Sequence, residues 1–446
     1  AHITEPSLLP IAVVQNAPSA IPLLGLFLLA YGVAFGGYLA FCRSAMPSAR
    51  VVWCAFALAA VAMIAMPFFP TTDPYAYALY ALEAGPLHLN PYVSQPVGAF
   101  ANGWGPQLAA IFPDPNAYVR YCNYGPFATA GYGLLAIPFA HAPLGAFLYA
   151  ERIFGALCVA FTGFVLSRTT AGDVVDGSRR AALFILNPLV LFELIAFAHG
   201  DALMFALLAL AWRGWRLRAY MPAAFFCFAA MATRSVAVVP LALLFVAAVR
   251  DKDKRSVLLS PRADVMLGVT LAWGLTIFTC VIMWGWHSLS FGSAPAFNAF
   301  SAPLVFLTRT IAPHAGLAFA VTLQAAFGAV VAALLLARWW RKRDSIAPAF
   351  LPFAALAGLP TIYPHYLTWV GGVRSVVSDE RFARVANVAM LVAPLWYLVK
   401  LNVFPFPGPP PAAFVFVLVV TWGTVLVVLR YPAARASGTS SAIEAG

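Results

Sequence analysis

Six carboxylates stand where an apolar chain has few charges to spare: Asp73, Glu83, Asp114, Glu151, Glu193 and Asp201. The stretch Pro70-Thr71-Thr72-Asp73-Pro74-Tyr75-Ala76-Tyr77-Ala78-Leu79-Tyr80 sets the first of them between two prolines at the end of an apolar run. Proline lacks the next backbone donor and restricts the residue before it, so Asp73 lies on a short constrained segment. A carboxylate held there can take a proton from a hydroxyl. It can equally cap a helix that begins at Pro74, since proline is favoured at a first helical position. Asp201 belongs to the run from Asn187-Pro188 to His199-Gly200-Asp201-Ala202-Leu203-Met204, which is apolar, broken by His-Gly-Asp, and then continued. Such a break frees backbone polar groups and is expected at a water-filled cavity. The structural alternatives are a helix cap for Asp201 and an interfacial side chain for His199. No second histidine lies at helical spacing to share a metal with His199.

Arg234 interrupts another apolar stretch. A lone intramembrane cation costs about 3 kcal/mol or more unless an anion neutralises it. Arg234 can therefore hold a phosphate or form a salt bridge to Glu193 or Glu151. Glu151 and Arg152 adjoin in one apolar run and read as an internal ion pair between helices. Near the other end, Pro360-Thr361-Ile362-Tyr363-Pro364-His365-Tyr366-Leu367-Thr368-Trp369 again breaks a span and gathers aromatic rings and donors. Aromatic belts place Tyr and Trp at membrane interfaces, and the same rings and donors bind a sugar.

The elements that must position these groups are membrane helices. The chain has 446 residues, 62% apolar and 10% charged, too much hydrocarbon for a water-soluble core of ordinary proportions. The fold class is all-α, a polytopic bundle of about thirteen spans. The net charge of +11 sits in short basic clusters between apolar runs, as in cytoplasmic anchoring loops, and nucleic acid is not indicated as a partner. Six cysteines fall mostly inside apolar runs without CxxC spacing, which argues against a disulfide frame or a zinc site. The run Ile21 to Cys42 reads as a first span rather than a signal peptide.

With Arg43 and Arg50 in the cytoplasm, Asp73 faces the opposite side. Residues 70–125 form an outer loop with interfacial helices, and 126–146, interrupted by glycines and prolines, are re-entrant or lie along the surface. The clusters at 250–255 and 338–343 and the arginines at 374, 381 and 384 then all face inward, as the charge rule requires. Residues 1–446 make one integral membrane domain with a flexible cytoplasmic tail at 431–446.

Four stretches together resemble the C-type, multi-pass glycosyltransferases that use polyprenyl-phosphate sugars, and most of all the bacterial alpha-mannosyltransferases of the cell envelope. They are Asp73-Pro74-Tyr75-Ala76-Tyr77 with Asn90-Pro91-Tyr92, Tyr124-Gly125-Pro126, Asn187-Pro188 through Met204, and Tyr363 through Trp369. The resemblance implies a hexosyltransferase of the bacterial inner membrane, its site facing outward, with a polyprenyl-phosphate sugar as donor and a glycan or lipid as acceptor. By analogy Asp73 is the catalytic base. Arg234 and His199 meet the donor phosphate; Tyr75, Tyr77, Asn90, Tyr92, Tyr124, Asp201, His365 and Tyr366 meet acceptor or sugar. The family favours His-Asn-Asp where this chain has His199-Gly200-Asp201, and a lysine near Arg234. No cofactor is specified; a divalent cation is compatible with these groups, and no ligand set is assigned to it.

The chemistry agrees with the residues. A sugar on a lipid phosphate carries its leaving group, so a base for the acceptor hydroxyl and a cation for the departing phosphate suffice. Attack from the opposite face inverts the donor anomer. The rival readings are a transporter or flippase for a lipid-linked or anionic substrate, and a noncatalytic lipid-binding partner. A transporter needs its polar groups near the midplane, whereas these gather toward one face.

The topology makes a direct prediction. In a chain stripped of native cysteines, Thr72→Cys reacts with an impermeant maleimide added outside, and Lys254→Cys reacts only after the membrane is opened. Outside labelling at position 254 would overturn the orientation.

Overall fold

The computed structural model describes residues 20–44, 48–66, 73–92, 103–111, 122, 124–169, 174–250, 260–285, 317–342, 347–359, 363–395 and 397. Every regular element among them is helical. The flank at 70–72, Asp114, the cluster at 251–255, the proline-rich 404–411 and the tail at 431–446 lie outside the described residues.

Two compact units divide the chain, one of Ala1–Phe297 with Tyr363–Phe406 and one of Asn298–Ile362 with Pro407–Gly446. The first contains α1 (Ala20–Arg43), α2 (Ala49–Ile64), α3 (Asp73–Ala84), α4 (Gly105–Ile111), α5 (Pro126–Ala136), α6 (Leu144–Ser167) and α7 (Val174–Ile185). It continues with α8 (Asp201–Arg216), α9 (Tyr220–Met231), α10 (Val238–Arg250) and α11 (Pro261–Trp284). The second contains α12 (Leu317–Lys342) and α13 (Leu351–Gly358), after which α14 (Thr368–Val376) and α15 (Glu380–Val392) return to the first.

Among the described residues, four helices are long and apolar enough to cross a membrane: Gly25–Arg43 within α1, α6, α11, and Phe319–Arg341 within α12. At 1.5 Å per residue, about twenty residues span the hydrocarbon layer. The expectation of about thirteen crossings drew also on shorter apolar helices, such as Ala49–Ile64 and Tyr220–Met231, and on the run before Arg430, outside the described residues. Residues 126–146 are not one helix. The 11 residues of α5 and a 3-10 turn at Ile137–Phe139 stop before Pro143, the N-cap of α6.

Polarity is arranged inside out. Leu29, Val33, Leu58, Val61, Phe278 and Ile282 are exposed, while Glu83, Glu151, Arg152, Glu193, His199 and Asp201 are buried. Lipid is the solvent that favours the first set outside, and interior hydrogen bonds must satisfy the second. Small residues let helices approach where no hydrophobic force drives them together. Ala211, Ala223, Ala224, Cys227 and Ala248 make up much of the core between α8, α9, α10 and their neighbour α11.

The organising irregularity lies between α7 and α8. Asn187 Oδ1 accepts from Leu189 N at 3.0 Å and starts a short turn at Pro188. The backbone then widens into a π-helix at Leu191–Ala196, a distortion frequent at functional sites. Ala198 follows at φ 51°, a left-handed conformation that costs an L-residue about 1–2 kcal/mol. Arg152 holds this segment to the end of α2. Its Nε donates to the Ala196 carbonyl at 2.9 Å and its guanidinium also donates to the carbonyls of Ile64 and Met66. The expected Glu151–Arg152 ion pair is thus replaced by a cation on helix-end carbonyls, which have no intrahelical donor. Both Glu151 oxygens are buried without a hydrogen bond among the described residues.

α6 reaches the π-helix through Gly155, where a Cβ would lie 2.2 Å from the Leu194 carbonyl oxygen. Gly155→Ala should destabilise the fold by about 1–3 kcal/mol, read as a lower unfolding temperature in detergent. Gly274→Ala, with nothing within 4 Å, is the control and should not; equal behaviour of the two would refute this contact.

Candidate active site

Asp73 opens α3 and Tyr77 follows one turn later, so both side chains lie along one face. The Tyr77 hydroxyl is 2.9 Å from His199 Nδ1 and receives the Tyr124 hydroxyl at 2.9 Å. Asp73 Oδ2 stands 3.8 Å from the same His199 nitrogen. On the other edge of the ring, His199 Nε2 is 3.3 Å from Glu193 Oε2, a contact bent away from hydrogen-bond alignment. Tyr397 donates to Glu193, its hydroxyl 3.1 Å from each carboxylate oxygen.

A second cluster adjoins the first. Arg234 reaches Asp201 Oδ2 at 3.2 Å, and the Trp369 indole donates to Asp201 Oδ1 at 2.9 Å. Asp201 therefore makes no helix cap; α8 has Gly200 at that position with no side-chain capping bond. Arg234 finds its anion in Asp201 rather than in Glu193 or Glu151. Its guanidinium lies 4.2 Å from the Tyr124 ring centre and 5.7 Å from that of Tyr366, within cation–π range. One of its nitrogens is 3.4 Å from His365 Nε2, while its own Nε is buried without a partner among the described residues. The His199 and His365 rings stack at 3.9 Å and join the two clusters.

Of the residues expected at the site, Asp73, Tyr77, Tyr124, His199, Asp201, Arg234, His365 and Tyr366 meet there. Asn90 and Tyr92 stand behind it. Asn90 Oδ1 accepts from Tyr92 N at 3.0 Å, and the Tyr92 hydroxyl donates to the Tyr124 carbonyl at 2.8 Å. Tyr75 is buried within electrostatic reach of Arg152. Glu193 takes part through His199, and Tyr397 and Tyr132 were not singled out by their sequence. Tyr132 stacks on Tyr77 with ring centres 5.7 Å apart. Glu83 is buried away from these partners, and burial pushes its carboxyl up to about 8, so it is mostly protonated at neutral pH.

Asp73, His199 and His365 can offer a cation three ligand atoms within 4.8 Å of one another. Imidazole and carboxylate donors suit zinc or manganese rather than magnesium. A cation on His199 Nδ1 would displace the Tyr77 hydroxyl and stand near the Arg234 guanidinium.

Removing the charge of Asp201 leaves Arg234, with 11% side-chain exposure, unneutralised. Asp201→Asn should lose about 3–5 kcal/mol of stability, seen as a lower unfolding temperature. The pair Asp201→Asn with Arg234→Met should recover most of it; no recovery would show that the two charges are not coupled.

No curated protein matches the chain, and no solved structure does. A family model for the N-terminal domain of alpha-(1->6)-mannopyranosyltransferases matches residues 4–250, more than half of the sequence. The matched region supplies Asp73, Tyr77, Tyr124, Glu193, His199, Asp201 and Arg234, and the segment from Tyr363 onward completes the site from beyond it. The chain belongs to the alpha-(1->6)-mannopyranosyltransferase family and is a glycosyltransferase with helices long and apolar enough to cross a membrane.

Proposed function

We propose that the protein transfers mannose from a polyprenyl-phosphate donor to a glycan or lipid-linked acceptor at the outer face of the bacterial inner membrane, with inversion at the anomeric carbon and Asp73 as general base. The observation that carries this reading is the exposure of the carboxylates. The Asp73 side chain keeps 30% of its surface open, whereas Glu83, Glu151, Glu193 and Asp201 are at most 1% exposed. A base must touch the acceptor hydroxyl, and Asp73 is the one of these five that an acceptor can reach. Asp201 is already held by Arg234 and Trp369.

Arg234 takes the donor phosphate in this reading. Its charge is permanent, its Nε has no partner among the described residues, and the rings of Tyr124 and Tyr366 beside it offer faces to a sugar. The departing phosphate then gains a cation where charge develops, the condition for transition-state stabilisation. His199, expected to help with that phosphate, has Nδ1 2.9 Å from the Tyr77 hydroxyl and 3.8 Å from Asp73, and Nε2 facing Glu193, so we assign it to Asp73 instead. The outward orientation rests on the basic clusters between apolar runs, and the lipid tail lies between spans. Residues 70–125 form the acceptor loop within one membrane domain.

The amide of Asp73→Asn is nearly isosteric and suits a helix N-terminus as well as the acid does. It cannot take the acceptor proton. Turnover with a polyprenyl-phosphate mannose should fall about 100-fold or more, with an unfolding temperature near that of the wild type. A stable Asp73→Asn protein with near-normal transfer would rule out the base.

A further inference from the structure

Glu193 sits on the far side of His199 from Asp73, and the hydrogen-bond chain around the ring decides which nitrogen carries its proton. Tyr124 donates to the Tyr77 oxygen, which leaves the Tyr77 hydrogen available to His199 Nδ1 at 2.9 Å, and the Glu193 carboxylate on the opposite edge of the ring favours that direction. Nδ1 is then an acceptor, and the ring proton is on Nε2, which faces Glu193 Oε2 at 3.3 Å. The Tyr397 hydroxyl occupies both Glu193 oxygens from the other side and aims the carboxylate. The backbone links the same two residues, since His199 N donates to the Glu193 carbonyl at 3.0 Å and closes the π-helical distortion.

We infer that Glu193 is a positioning residue, which with Tyr397 keeps the proton of His199 on Nε2 so that Nδ1 remains an acceptor that can pass from Tyr77 to Asp73. The inference rests on Asp73 being the base. In the ground state the Asp73 carboxylate and the Nδ1 lone pair face each other at 3.8 Å as two acceptors, and neither stabilises the other. As the acceptor hydroxyl hands its proton to Asp73, the carboxyl becomes a donor. It can then form an O–H···Nδ1 bond while the Tyr77 hydroxyl rotates off. That bond exists only once proton transfer has begun, so it lowers the barrier without tightening the ground state. Catalytic contacts of this kind are often long before substrate binds.

With Glu193→Gln the amide can donate to Nε2, and the ring proton moves to Nδ1. The ring then donates toward Asp73 and stabilises the anion, which makes Asp73 a weaker base.

The test uses the full chain in lipid nanodiscs, labelled with 15N-histidine, His199 being assigned by the signal lost in His199→Gln. The expected wild-type ring is protonated on Nε2 and unprotonated on Nδ1. Glu193→Gln should shift the His199 signals toward the other tautomer and lower kcat by about 10–100-fold, with the donor KM within twofold. Glu193→Asp, which keeps the charge, should restore part of the rate, and Tyr397→Phe should lose less than Glu193→Gln. Unchanged His199 signals and a kcat within twofold in Glu193→Gln would overturn the assignment. The spectra need no substrate, so they separate the two readings. A wild-type protein with the expected tautomer whose Asp73→Asn variant transfers normally would remove the base beneath it and the catalytic role of Glu193 with it.

Discussion

A guanidinium that is mostly out of water must find an anion, and at Arg234 that requirement sets the shape of the site. The anion is Asp201, at the first position of α8. To bring it there, the chain leaves α7, widens into a π-helix and passes through a left-handed alanine. Trp369, from the returning C-terminal segment, occupies the second oxygen of Asp201. Three separate parts of the sequence are therefore committed to one neutral pair. A solvent-exposed pair of the same kind would contribute little; a buried one is costly to break from either side.

The neutral pair leaves the remaining carboxylates with distinct characters. Asp73, partly open to solvent, keeps access to a substrate. Glu193 is closed off behind His199 and Tyr397, and Glu83 is mostly neutral because of its burial. Environment, rather than residue type, separates a group that can exchange protons with a ligand from groups that shape the pocket.

Much of this was legible in the chain because a charge in an apolar run is expensive, and Asp73, Asp201 and Arg234 stand out for that reason. What charge cannot reveal is its partner. Arg234 pointed to a phosphate or to a salt bridge with Glu193 or Glu151, because nothing local says which helix faces which, and the pairing with Asp201 depends on the π-helical detour. His199 lacked a second histidine within a helical turn, and the ring beside it, His365, comes from a segment far along the chain. Tyr397 and Tyr132 were invisible for a different reason. Tyrosine is common at membrane boundaries, so its presence carries little information until its hydroxyl is seen to meet a carboxylate or its ring to stack on Tyr77. The neighbouring Glu151 and Arg152 suggested mutual neutralisation, yet adjacent residues on a helix point in different directions, and Arg152 serves the backbone of two other segments instead.

The long-range closure of the site also bears on how the protein is made. Asp201 meets its cation 33 residues later in the chain, early in synthesis. Glu193 must wait for a hydroxyl 204 residues further on. Until the ribosome has delivered Tyr397, the growing chain carries a carboxylate destined for the interior without one of its native donors. Arrival of the segment that carries Tyr397 is therefore the step that completes this cluster, and a nascent chain holding only the matched family region still lacks part of the site.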